Sequence, residues 1–121
     1  MEREPEGRDL RERTKQFALR IIRMFTSLPK SQEAQVLRRQ VLRSGTSPGA
    51  HYREAYRARS SAEFVSKIEG GLQELDETGY WLELLVERDI VSAKRLANLQ
   101  NETEESTKIS TSIAIRAKKN R

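Results

Sequence analysis

Four arginines, Arg39, Arg43, Arg53 and Arg57, give this 121-residue sequence its clearest chemical pattern. A guanidinium is permanently charged and presents a rigid fork of donors, which suits bidentate bonding to phosphate or carboxylate. At 100° per residue the four fall on one line of a helix, opposite Leu37, Val41, Ser44, Pro48, His51 and Ala55. One flank packs and the other displays positive charge. Such a line can follow a phosphate backbone. It can equally form a solvated face that pairs with Glu54 or with an acidic helix of another subunit. No RRM, KH or recognition-helix signature is present, so binding to RNA or DNA would follow charge and shape.

Other chemistry is poorly supplied. There is one histidine and no cysteine, and no nucleophile lies beside a partner base. Gly45-Thr46-Ser47-Pro48-Gly49 lacks the Lys-Ser/Thr ending of a phosphate loop, and no His/Asp/Glu spacing suits a metal. His51, on the inward line, is read as a hydrogen-bonded core residue. Glu69, Asp76, Glu83 and Glu87 recur at helical spacing and are read as a solvated or salt-bridged face. We therefore expect no catalytic residue, metal ligand or cofactor, and a protein that is not an enzyme.

The elements that position these groups are helical. Hydrophobic residues make up 36% and charged ones 34%, rich in Glu, Arg, Leu and Ala, a mixture that favours helices over strands. Leu10, Thr14, Phe17, Ile21, Met24 and Leu28 form a first stripe, from an N-cap at Asp9 to a stop at Pro29. The second segment, about 31–56, contains Ser44-Gly45-Thr46-Ser47-Pro48-Gly49, which reads locally as a turn. A helical Pro48 would forfeit a backbone bond and crowd the Ser44 carbonyl, at a cost of about 3 kcal/mol. The apolar and arginine lines nevertheless keep phase across the proline, which predicts one helix kinked near Pro48. Ser60 to Glu63 has capping-box spacing and opens a third segment whose stripe runs from Phe64 to Val86. Gly70 and Gly71 within it imply either a close neighbour or a flexible spot. A fourth, from about Ser92 to Ile115, has a thinner stripe diluted by hydroxyl residues.

The sequence thus predicts an all-α, antiparallel up-down-up-down four-helix bundle over residues 9–115. Residues 1–8 are expected to be a disordered N-terminus and 116–121 a basic disordered tail. Charge is segregated: residues 1–59 hold fourteen Lys/Arg against seven Asp/Glu, and residues 60–105 hold four against eleven. A polarised molecule of this kind can attract phosphate polymers or copies of itself. Tyr80, Trp81 and Leu84 include aromatic and leucine surface off the main stripe of the third helix, which points to an oligomer interface. No apolar run approaches the ~20 residues of a membrane span, no signal-peptide pattern opens the chain, and cysteine is absent. The cytoplasm is the expected location.

Two blocks carry a family resemblance: Leu42-Arg43-Ser44-Gly45-Thr46-Ser47 with Gly49-Ala50 and Tyr52-Arg53-Glu54-Ala55, and the run Asp76-Glu77-Thr78-Gly79-Tyr80-Trp81-Leu82-Glu83-Leu84-Leu85. Over about residues 9–115 the chain resembles the 23S rRNA intervening-sequence proteins. It is also similar to the related accessory variability determinants of diversity-generating retroelements. The resemblance implies an up-down bundle, a ring-shaped homopentamer and no known catalysis. From the retroelement branch it further implies a basic surface that binds nucleic acid and a reverse transcriptase. Pro48 stands where the family usually has a branched aliphatic and His51 where it has asparagine, and Gly70-Gly71 replaces larger residues.

Overall fold

The computed structural model describes residues 5–120 and consists, over those residues, of four helices without strands. Helix α1 spans Pro5–Ser27, α2 Gln32–Ala55, α3 Ser61–Glu87 and α4 Ala93–Lys119. Helix α1 begins before the expected N-cap, so Asp9 lies inside it. Proline is well tolerated in a first turn, where its missing N–H would have no intrahelical partner. Of the expected N-terminal segment 1–8, residues 1–4 lie outside the described residues. At the other end α4 runs four residues past Ile115, so the basic segment from Arg116 to Lys119 is helical rather than a tail. Its cations sit in the last turn, where the dipole favours them.

The remaining boundaries follow hydroxyl caps. Ser31 accepts from the Ala34 amide at 3.3 Å, Ser60 from Glu63 at 3.1 Å and Ser92 from Arg95 at 3.2 Å. The Glu63 carboxylate reaches back to the Arg59 amide at 3.4 Å. Helix α3 ends in a Schellman motif: the Ile90 amide bonds to the Leu85 carbonyl and the Asp89 amide to Val86, both at 3.0 Å. Asp89 takes the left-handed conformation that this motif needs, with φ 57°.

Neighbouring helices pack in the ring order α1, α2, α3, α4 and back to α1, and among the described residues no diagonal pair approaches closely at the backbone. Helix α2 stays continuous through Pro48, which is buried. The reason is tertiary. A Cβ on Gly45 would lie 2.8 Å from Ile21 Cγ1, and one on Gly49 would lie 3.6 Å from the Thr14 carbonyl oxygen. The turn-like composition is therefore a small-residue seam that seats α1 on α2. Two hydroxyls in this stretch bond to the helix itself, Thr46 to the Leu42 carbonyl at 2.8 Å and Ser47 to Arg43 at 2.7 Å.

A tyrosine spans the bundle diagonally. Fully buried Tyr52 of α2 passes the bare backbone of Gly71 and meets Ser110 of α4, with 2.7 Å between the two hydroxyl oxygens. Burial pushes its phenol well above the ordinary pKa, so it stays neutral. The hydroxyl residues that dilute the α4 stripe are satisfied locally: Thr103 donates to Leu99 and Ser110 to Ser106, each at 2.7 Å.

Candidate nucleic-acid interface

The seam with α1 and the diagonal tyrosine fix how α2 is rotated. Leu37, Val41, Ser44, Pro48 and Ala55 are buried and His51 is half-buried, while Arg39, Arg43, Arg53 and Arg57 are all exposed. From Arg39 to Arg53 the line extends about 21 Å at the 1.5 Å rise of a helix, and Arg57, expected on the same helix, lies instead in the turn just past the Tyr56 C-cap.

The four are not equivalent. Arg43 donates to Glu74 of α3 at 3.2 Å and also contacts Glu77, whose carboxylate takes the Trp81 indole N–H at 3.3 Å. Its side chain remains half exposed. Among the described residues no carboxylate pairs with the side chains of Arg39, Arg53 or Arg57. Glu54, one possible partner of the line, is taken by Lys67 of α3 at 2.8 Å. Hydrogen bonding and charge from that lysine lower the Glu54 pKa and raise that of Lys67. Two further arginines lie over rings between α1 and α2, Arg11 over Tyr56 and Arg38 over Phe25, at 5.0 and 4.7 Å.

Glu77 also connects the arginine line to the residues read as an oligomer interface. Trp81 and Leu84 are partly buried and pack against the core, whereas Tyr80 is 53% exposed with its ring edge against Trp81. Leu19 and Ile22 on α1 are exposed as well. Both fall off the stripe from Leu10 to Leu28, which is the signal in the sequence for an outward apolar position.

His51 faces α3 rather than a polar partner. Its Nδ1 is buried without a hydrogen bond, and a Cβ on Gly70 would come within 2.9 Å of the ring. The ring borders an open recess of about 610 Å³ shared with Ser66, Lys67, Glu69 and Lys118. The expectation of a hydrogen-bonded core histidine is thus corrected: the missing side chain of Gly70, more than any bond, accommodates this ring. On α3, Glu69 pairs with Lys118 at 2.6 Å while Asp76, Glu83 and Glu87 are exposed. Among the described residues no cluster of His, Asp and Glu could hold a metal ion, and no helix is long and apolar enough to cross a membrane.

The fold is a four-helix bundle with exposed arginines on α2 and in the turn after it, and exposed carboxylates on α3. Residues 8–112 match the family described as 23S rRNA-intervening sequence protein, and the chain belongs to that family. It is similar to a crystal structure from Bacteroides thetaiotaomicron VPI-5482, described as a protein with unknown function from the S23 ribosomal protein family. The two share 36% identity with a TM-score of 0.84, over 89% of this chain and 96% of that one. No curated protein matches.

Proposed function

We propose that this protein is a non-enzymatic, homo-oligomeric bundle that binds RNA or DNA by charge and shape through the outward face of α2. The observation that supports this reading is the arginine line itself: four guanidiniums stand exposed along one flank while the opposite flank is sealed in the bundle. Phosphate neutralisation by such a line releases counterions and makes affinity steeply salt-dependent. Filter binding at low salt should retain nucleic acid of many sequences, and replacing all four arginines by glutamine should abolish retention while leaving the assembly unchanged. Absence of retention by the unmodified protein defeats the reading.

One observation favours a second reading, a structural module held together by opposite charges. Asp76, Glu83 and Glu87 are exposed on α3, opposite in sign to the arginines and likewise set at helical spacing. In that case salt, or the same four glutamines, should dissociate the assembly. Size-exclusion chromatography with light scattering across ionic strength separates the two readings, because the first keeps the Tyr80 and Trp81 rings at the contact and resists salt.

A further inference from the structure

The outward face of α2 has charge at its ends and little bulk in its middle. Arg39 and Arg43 stand at one end and Arg53 at the other, with exposed Arg57 in the turn just past it and Thr46, Ser47 and Ala50 between the two ends. Arg43 and Arg53 are about 15 Å apart along the helix axis. We propose that this face takes double-stranded RNA, with α2 lying across a shallow groove and one arginine pair on each flanking backbone. The assignment rests on the nucleic-acid reading above and names its substrate class.

Three features carry it. Single strands are held by stacking their bases on aromatic side chains. The strongly exposed aromatic ring among the described residues is Tyr80, which belongs to α3, and none lies along the arginine line. The Thr46 and Ser47 hydroxyls are already donated to the carbonyls of Leu42 and Arg43, so the middle of the face offers base edges acceptors but no free hydroxyl donor. It does let a surface come close, since Ala50 is exposed and small. Finally, α2 is flanked by α1 and α3 and presents only its outer side. A B-form major groove, about 12 Å wide and 8.5 Å deep, calls for a helix that projects, whereas the minor groove of A-form RNA is wide and shallow. A helix held between two neighbours, with anchors at both ends, fits the latter.

The test compares an RNA duplex of about 20 base pairs, the DNA duplex of the same sequence and one RNA strand by fluorescence anisotropy at low salt. The RNA duplex should bind at least about tenfold more tightly than either of the others. Ala50→Trp adds bulk at the centre without changing charge. It should weaken the RNA duplex about tenfold, leave the single strand unchanged and, at an exposed position, preserve the circular dichroism of the helices. Equal affinity for strand and duplex, tighter binding of DNA, or an Ala50→Trp protein with full duplex affinity would each overturn the assignment while leaving nucleic-acid binding in place. No binding to any of the three removes both.

Discussion

At the scale of the residue, Gly70 and Gly71 do different work although they are adjacent. A Cβ on Gly71 would lie 2.3 Å from Cε1 of Tyr52, a ring that is fully buried and tied to Ser110 at its far end. The ring has nowhere to go. A Cβ on Gly70 would meet the His51 imidazole at 2.9 Å, but that ring is half-buried beside an open recess and can swing aside. Replacing glycine by alanine favours a helix by about 1 kcal/mol in either position. Gly70→Ala is therefore expected to be neutral or slightly stabilising. Gly71→Ala should cost about 1–3 kcal/mol through overpacking, seen in thermal unfolding as a Tm several degrees lower. Equal melting of the two variants would refute this division. Neither role could be read from the chain alone, because the dipeptide lies on α3 while the rings it accommodates lie on α2, some twenty residues earlier. Sequence periodicity shows which way a residue faces and not what faces it.

At the scale of the element, legibility depended on whether a signal was local. Ser60 marked a helix start because a cap is made by residues three apart in sequence, and the approximate starts near Ser31 and Ser92 also fall on capping serines. The continuity of α2 was legible for a different reason. Its apolar and arginine lines kept one phase across Pro48, and that long-range regularity outweighed a six-residue turn signal whose glycines in fact seat α1. The start of α1 was misplaced because Asp9 resembled a cap while Pro5 already suits a first turn. The exposure of Arg39, Arg43 and Arg53 followed from phase, whereas Arg57 lies past the end of α2, and the engagement of Arg43 by Glu74 and Glu77 required the register of α3 against α2, which no repeat encodes. The end of α3 offers a test of local strain. Asp89 occupies the left-handed position of a Schellman motif, a conformation that costs a residue with a Cβ roughly 1 kcal/mol relative to glycine. Asp89→Gly should raise stability by up to about 1 kcal/mol, offset in part by the greater freedom of glycine in the unfolded chain. Chemical denaturation would show it as a higher midpoint at unchanged slope. A lower midpoint would mean that the Asp89 side chain contributes more than its backbone costs.

At the scale of the whole molecule, the ring of helices is closed by its sparsest seam, that between α1 and α4. Arg13 bridges it with a two-pronged bond to Glu102, Nε to Oε2 at 2.9 Å and Nη2 to Oε1 at 2.8 Å, and Ser106 adds a third at 3.0 Å. Partial burial by itself would raise the Glu102 pKa. The guanidinium, the Ser106 hydroxyl and the nearby Arg20 outweigh it and hold the carboxyl below its ordinary 4.5. A group whose pKa is lower folded than unfolded stabilises fully above its unfolded value, and that contribution is lost as pH falls through the folded one. Closure of the bundle should therefore weaken below about pH 4.5, with α1 the helix released. Glu102→Gln keeps the shape and removes the charge. It should cost about 1–2 kcal/mol at pH 7, since charge-assisted bonds are lost while Arg13 stays partly buried, and the difference from the unmodified protein should shrink as both are acidified. Denaturation midpoints measured from pH 7 to pH 3 check the sign. A difference that stays constant or widens on acidification would show that the seam is held by packing, and that the ion pair between its helices adds little.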